Sequence, residues 1–371
     1  MNQPRILQLG KFYPPYMGGI ETHLETLCSQ LRTFDVTVLA ANTNNQRTEE
    51  DRNGVRVIRL PPRLWLSTAP LCPSIAGEIR RLRPDLVHLH LPHPGGMMGL
   101  LASRYGGRLV VTYHSDVVRQ QWRAAPFTPI LHAALRRACT ILVTSRAYVE
   151  TSTVLQRFRS RCQVVPYGIP TARFERVDDA QIAALRARFG DRMVLATGRL
   201  VYYKGFDVLI EAMRHVSGHL VVIGDGPLLS SLNSRAQQLG VAAKVTFTGE
   251  IGNHELAPFY SAARVFVLPS VARSEAFGIV QLEALACGTP VVNTNLPSGV
   301  PEVSLDRVTG LTVPPKDPQA LARAMTTLLD DPDLRARYGA AGRARVASEF
   351  TDVVMGERIR RVYADALSNG C

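Results

Sequence analysis

Two kinds of apolar pattern alternate along the chain. Runs of Val, Ile and Leu recur at 5–9, 36–40, 55–60, 85–91 (DLVHLHL), 109–113 (LVVTY) and 140–144. Between several of them, apolar residues return every three or four positions, and one such stretch opens at Gly18-Gly19 and runs to Leu31. Continuous apolar strands separated by amphipathic helices predict a parallel sheet covered on both faces.

The pattern then restarts. A short strand at 163–165 leads into Tyr167-Gly168-Ile169-Pro170, which reads as a linker. A second strand series follows at 193–197, 220–223, 245–248, 265–268 and 291–293, with helices expected at 206–214, 228–238, 255–263 and 278–286. The tail 319–367 is helical in pattern, broken near Pro332 and Thr351. The expectation is an α/β protein of two doubly wound domains, 1–168 and 169–351, with a last helix in 352–371. Such sheets bind ligands at the carboxyl ends of their strands, so a cleft between the domains is the expected site.

Composition narrows the class. Of 371 residues, 46% are hydrophobic and 20% charged, which excludes a disordered or collagen-like chain. No apolar run approaches the roughly 20 residues needed to span a bilayer. The first ten residues enter a strand-like run without the regions of a secretory leader, so a cytoplasmic location is expected. Cys28, Cys72, Cys139, Cys162, Cys287 and Cys371 form no C-x-x-C pair and are expected to be reduced and structural, with no metal site. The net charge of +12 is unevenly placed: residues 1–170 carry 21 Lys+Arg against 10 Asp+Glu, and the remainder 22 against 21. Nucleic acid, anionic lipid or a phosphorylated substrate would each suit the basic half. So would a genome bias toward Arg, which supplies 39 of the 43 cations.

Candidate chemistry is densest from Ser274 to Val291. The helix expected to start near Phe277 or Gly278 would present unpaired amides and partial positive charge to a phosphate. Glu275 precedes that start and Glu283 lies eight residues on, about 12 Å of helix rise, a span that suits a sugar, a diphosphate and a ribose. Glu275 would accept sugar hydroxyls, the amides of Phe277 and Gly278 would face the diphosphate, Ile279 is a further nucleotide-binding candidate, and Glu283 would take the ribose hydroxyls. Gly198-Arg199 and Lys204-Gly205 place two cations on a strand-to-helix loop, able to grip a diphosphate. Lys204 is one of only four lysines. Gly18-Gly19-Ile20-Glu21 would let backbone approach an anion closely. His114 ends the strand LVVTY, and Gly224-Asp225-Gly226-Pro227 follows another strand, touching nucleotide or only turning the chain. His88 and His90 alternate along one strand with no ligand spacing. Asp331-Pro332-Asp333 has a metal-type D-x-D spelling but precedes a helix, where such carboxylates cap.

In order and spacing these motifs resemble the retaining GT-B glycosyltransferases of family 4, which include bacterial mannosyl-, rhamnosyl- and glucosyltransferases. The resemblance rests on Gly18-Gly19-Ile20-Glu21, Gly198-Arg199, Lys204-Gly205, the E-x-F-G-x-x-x-x-E run from Glu275 to Glu283, and Gly310-Leu311 with Val313-Pro314. It implies two Rossmann-like domains facing across a cleft, the first binding acceptor and the second the nucleotide sugar, with the last helix crossing back to the first. It also implies that Arg199 and Lys204 hold the departing diphosphate, that Glu275 and His114 face the donor sugar, and that Glu283 holds the ribose. Gly19 would offer backbone to the phosphate, and Gly249-Glu250-Ile251 would lie against the base. Family members need no catalytic metal or other cofactor. One departure stands out: the family's linker commonly reads P-N-G-x-D, whereas here it is Pro166-Tyr167-Gly168-Ile169-Pro170.

The wording GRLVYYKGFDVLIEAM looks like rhamnosyl- or mannosyltransferases of surface polysaccharide and lipopolysaccharide assembly, which favours a GDP-mannose type of donor, with a UDP-sugar close behind. Such enzymes act on glycan or polyprenyl-diphosphate-linked acceptors at the inner face of the membrane. In 117–138, Arg119, Arg123, Arg136 and Arg137 accompany Trp122, Phe127, Ile130 and Leu131, a mixture suited to an anionic membrane surface, though a packed helical pair has the same pattern. Two other classes fit less well. A dehydrogenase of two doubly wound domains requires G-x-G-x-x-G after the first strand, which is missing. A nucleic-acid binder requires a reading helix or stacking aromatics, and aromatics are 7% of residues.

Overall fold

The structure, a computed structural model, describes residues 3–16, 18–66, 69–116, 127–252 and 255–368. The chain divides into two compact units, residues 1–168 with 352–371, and residues 169–351.

The first unit contains β1 (Arg5–Leu9), β2 (Asp35–Ala41), β3 (Thr48–Arg52), β4 (Val55–Leu60), β5 (Leu64–Leu66), β6 (Ala69–Leu71), β7 (Leu86–Leu91), β8 (Arg108–Tyr113), β9 (Thr140–Val143) and β10 (Cys162–Val164). Eight of them form one sheet in the order β10-β9-β8-β7-β1-β2-β4-β3, and β5 and β6 pair as a separate hairpin. All neighbours in the large sheet are parallel except β3, which runs antiparallel to β4. The apolar pattern did not mark β3 because its sequence is TEEDR. It is an edge strand, held to β4 by Arg56–Glu49 and Arg59–Glu50 ion pairs, and its charge discourages further strand pairing. The helix Asp352–Ser368 packs on this sheet, with Met355, Ile359, Val362 and Tyr363 buried against a core that includes Ile6, Val38, Leu86 and Val110. Those four residues recur at helical spacing and make one apolar stripe.

The second unit contains β11 (Met193–Thr197), β12 (His219–Ile223), β13 (Val245–Gly249), β14 (Val265–Leu268), β15 (Val291–Thr294) and β16 (Gly310–Val313). They form an all-parallel sheet in the order β13-β12-β11-β14-β15-β16. The tail folds into the helices Pro318–Asp330 and Pro332–Glu349, broken at Pro332 as the pattern indicated. Asp331 accepts a hydrogen bond from the Leu334 amide at 2.8 Å and so caps the second of them.

Each sheet reverses its direction of growth once. In the second unit the chain builds outward from β11 to β13, then returns to lay β14 on the other side of β11. In the first it goes from β1 to β2 and β4, then returns to place β7 beside β1. The loops leaving the two strands at such a point diverge to opposite faces of the sheet and leave a crevice at their carboxyl ends.

One cysteine departs from the expected set of reduced thiols. Cys28, Cys72, Cys162 and Cys287 are free, but Cys139 is disulfide-bonded. Pairing depends on which chain segments meet in space, which isolated spacings do not reveal. Cys371 lies outside the described residues.

Candidate active site

In the second unit the crevice lies between the ends of β11 and β14. Three loops are joined there by backbone hydrogen bonds: Gly198 N to Ile223 O at 2.9 Å, Leu200 N to Asp225 O at 2.9 Å, and Gly224 N to Gly249 O at 2.8 Å. Gly198 and Gly224 adopt φ 137° and 131°, and a Cβ on Gly224 would fall 2.3 Å from the Gly198 carbonyl oxygen. Only glycine permits this approach of one loop to the next. The fold thereby gathers Gly198, Gly224 and the segment Gly249-Glu250-Ile251, with Glu250 exposed and Ile251 half-buried.

Lys204 closes the short turn Tyr202–Lys204 in the loop after β11. The next residue, Gly205 at φ 68°, leaves no room for a side chain against the Pro269 carbonyl, and the Val271 amide donates to the Tyr203 carbonyl at 2.8 Å. The loops after β11 and β14 are thus pinned together. Across that seam Lys204 Nζ lies 2.7 Å from Glu275 Oε2, and Ser270 Oγ donates to the same oxygen at 3.1 Å. Both charged residues are buried, 9% and 8% exposed. Burial works against the Lys204 ammonium, but Glu275 and Tyr203 outweigh it and hold the pKa above its ordinary value. Arg199, on the same loop, is exposed and makes no ion pair among the described residues. The two cations grouped by sequence therefore differ: one is fixed on a carboxylate and the other is available to an anion.

Glu283 lies on the helix Val280–Ala286, which starts two residues later than expected. Gly278 has φ 76°, outside helical geometry, so Phe277 and Gly278 form a turn before the helix rather than its first residues. Phe277 is buried with its ring 6.2 Å from Phe350, and Ile279 is the half-buried residue preceding the helix. Gln281 donates to the Phe277 and Val300 carbonyls, and Asn293 donates to Gln281 Oε1 at 2.9 Å, a buried amide pair that holds the turn. Glu283 itself accepts from Arg173 Nη2 at 2.7 Å and from Tyr260 Oη at 2.6 Å. Burial raises its pKa, and Arg173 and Tyr260 offset only part of that. Arg173 and Tyr260 had no motif to mark them, since they reach Glu283 from 110 and 23 residues away.

In the first unit, His114 is buried within a relay of side chains. With the Gln8 amide nitrogen on Tyr363, the following tautomers satisfy every link. Tyr167 donates to His114 Nδ1, His114 Nε2 to His90 Nδ1 (3.0 Å), and His90 Nε2 to Gln8 Oε1 (2.9 Å). Gln8 Nε2 then donates to Tyr363 Oη (2.7 Å), Tyr363 to His88 Nδ1 (2.6 Å), and His88 Nε2 to Thr112 Oγ1 (2.7 Å). The imidazoles are neutral: burial brings His23, His88 and His93 from the ordinary 6.5 to about 3 and holds His90 and His114 well below it. Both His114 nitrogens are engaged, so its ring meets a sugar hydroxyl only by giving up one of these bonds. His23 and His93 differ, for all four of their ring nitrogens are buried without a partner. Gly18 and Gly19 open the helix Gly19–Ser29; a Cβ on Gly18 would strike Glu21 Oε2, whereas Gly19 faces open space.

Arg119, Trp122 and Arg123 lie outside the described residues. Of their neighbours, Arg137 donates to the Tyr105 carbonyl, and Phe127, Ile130 and Leu131 are half-buried. Among the described residues no helix is long and apolar enough to cross a membrane, and no group of three or more His, Cys, Asp or Glu could hold a metal ion.

Two family models match the chain: glycosyl transferases group 1 over residues 177–345 and glycosyltransferase family 4 over residues 17–173. The chain is 35% identical to a GDP-mannose-dependent alpha-(1-6)-phosphatidylinositol monomannoside mannosyltransferase of Mycolicibacterium smegmatis, covering 89% of this chain and 91% of that one. It is 29% identical to the O-antigen chain mannosyltransferase C of Escherichia coli, covering 98% and 99%. Among solved structures it is similar to a sucrose-phosphate synthase of Thermosynechococcus elongatus, with a TM-score of 0.84 at 25% identity over 98% of this chain and 99% of that one.

Proposed function

The chain belongs to the group 1, family 4 glycosyltransferases, with their two-domain GT-B fold, and on that premise we propose a hexosyl transfer. The donor is a nucleoside diphosphate sugar of the GDP-mannose type, and the acceptor a hydroxyl of a glycan or lipid-linked glycan in cell-surface polysaccharide assembly. The observation that carries this reading is the buried Lys204–Glu275 pair beside the unpaired Arg199, at the switch point of the second sheet. A cation and a carboxylate held there suit the two ends of a sugar diphosphate.

In this reading Arg199 and Lys204 take the charge that develops on the diphosphate as the bond from C1 breaks. Glu275 accepts hydroxyls of the donor sugar and Glu283 those of the ribose. Gly198, Gly224, Phe277, Gly278 and Ile279 give backbone to the nucleotide, and Glu250 and Ile251 flank the base. Gly18, Gly19 and His114 are the residues of the first unit assigned to donor and acceptor. The acceptor oxygen bonds to C1 on the face the diphosphate leaves, so configuration is retained, and the acceptor's proton passes to the departing phosphate oxygen. No metal takes part. The cations of residues 1–170 favour a peripheral position on an anionic membrane surface, to be read as salt-sensitive vesicle binding.

Thermal shift tests the reading. GDP, and to a lesser degree UDP, should raise the melting temperature while NAD does not; the reverse result removes the transferase assignment. Incubation with a panel of GDP- and UDP-sugars then fixes the donor, with GDP-mannose expected to turn over fastest.

A further inference from the structure

The first sheet has its own switch point, between β1 and β7, and beyond Gly18 and Gly19 the donor chemistry assigns it no side chain. The loop after β1 brings Lys11, Phe12 and Tyr16 to it, and the turn after β7 brings His93. Phe12 is buried, and its ring orients two exposed ones. Tyr16 lies 4.2 Å away between centroids with planes 21° apart, and Trp65, from the hairpin β5–β6, 6.2 Å away at 28°. Tyr16 is 41% exposed and Trp65 46% exposed. Arg59 secures the loop by donating to the Pro14 carbonyl. A cation adjoins the rings. Lys11 Nζ is 5.3 Å from the Phe12 centroid, and its charge acts on both Glu21 and His93. Glu21 is buried, and both nitrogens of the buried His93 lack partners.

Buried imidazole nitrogens without partners are costly unless a ligand or water supplies the missing hydrogen bonds. Two exposed rings, each within 30° of the Phe12 plane, offer flat, electron-rich faces, which attract the weakly positive axial C–H groups of a pyranose. The Lys11 ammonium beside Phe12, with the carboxylate and the neutral imidazole that its charge reaches, offers partners for the hydroxyls around the same ring. Resting on the glycosyltransferase reading above, we propose that Tyr16, Phe12 and Trp65, with Lys11, Glu21 and His93, form a stacking subsite for a sugar ring of the acceptor. Trp65 and Tyr16 are the platform, and Glu21 and His93 select the hydroxyl pattern. A lipid-inserting hairpin is the competing use of these residues. Against it, the Trp65 ring is turned toward Phe12, and Glu21 would repel an anionic headgroup. Leu64, 56% exposed, neighbours Trp65 on the same strand, and successive side chains of a strand point to opposite faces.

The test uses the full chain with GDP present and measures binding of methyl α-mannoside, methyl α-glucoside and α-1,6-mannobiose by saturation-transfer NMR. At least one of the three should bind. Trp65→Ala and Tyr16→Ala should each weaken that binding about tenfold, Trp65→Phe should keep most of it, and Leu64→Ser should leave it unchanged. The GDP thermal shift of each variant should match the parent, which shows that the fold and the donor site survive. No binding of any glycoside by the parent overturns the subsite, as does equal binding by Trp65→Ala. Loss of binding to phosphatidylglycerol vesicles in both Trp65→Ala and Leu64→Ser, with glycoside binding intact, overturns it in favour of lipid. Failure of the donor reading shows separately, as a parent that neither shifts with a nucleoside diphosphate nor turns over any nucleotide sugar.

Discussion

At Lys204 and Glu275 two opposite charges share one buried place, and each makes the burial of the other tolerable. Lys204→Ala leaves a carboxylate without its cation, so it should cost about 3–5 kcal/mol in urea unfolding as well as abolish transfer. The double change Lys204→Met with Glu275→Gln should recover much of the stability and none of the turnover. The histidines set a second expectation. The buried ones are neutral in the fold, with His23, His88 and His93 at about 3, against 6.5 for a free side chain. The unfolded chain therefore takes up protons first. The stabilisation is complete above pH 6.5 and falls as pH drops from 6.5 toward 3, by about 1.4 kcal/mol per pH unit for each residue. Melting curves between pH 8 and 4.5 should show a steep loss below 6.5, and a flat profile would contradict the buried neutral cluster. The sequence made Lys204 and Glu275 visible through their motifs, but not their ion pair. His88 and His90 read only as alternate residues of a strand, because Gln8 and Tyr363 join them from 82 and 275 positions away.

Elements, rather than single groups, decide how the loops of the second unit meet. A Cβ on Gly224 would collide with the Gly198 carbonyl at 2.3 Å and face a φ of 131°. Gly224→Ala should thus lower the melting temperature and remove the GDP thermal shift. The helix Asp352–Ser368 acts similarly on the first sheet. Tyr363→Phe would leave His88 Nδ1 and Gln8 Nε2 buried without a partner, a loss of about 1–3 kcal/mol measurable by urea unfolding. Central strands were legible because burial on both faces requires continuous apolar runs. The strand TEEDR was not, since an edge strand answers to solvent. β16 was hidden for a different reason: it starts at Gly310, where a Cβ would lie 1.9 Å from the Val291 carbonyl, so close approach rather than apolarity selects the residue. Gly278 likewise moved the start of the helix to Val280 by its positive φ, a value that residue type permits but does not announce.

Over the whole molecule, the first unit is discontinuous, for residues 169–351 are inserted between its main part and its last helix. A fragment ending at residue 168 lacks Met355, Ile359, Val362 and Tyr363 from its core and should not fold. Residues 169–351 contain a core of their own and should fold and bind GDP alone, as circular dichroism and calorimetry can show. That ordering follows from the side-chain relay too, which joins β1, β7 and β8 to the last helix and to Tyr167. From Tyr167 to His88 each of the first six members donates to the next, and Thr112 ends the row as an acceptor. A second complete arrangement exists, with the Gln8 amide turned over, every imidazole in its other tautomer and each hydroxyl reversed. One mixture also keeps every link, with His88 and Thr112 reversed alone, because the Tyr363 oxygen can accept from both Gln8 and His88. The stretch from Tyr167 to Gln8 is a row of arrows that reverses together or not at all, whereas Tyr363 lets the arrows at His88 and Thr112 turn on their own, so the first unit carries an internal polarity with a swivel in its middle.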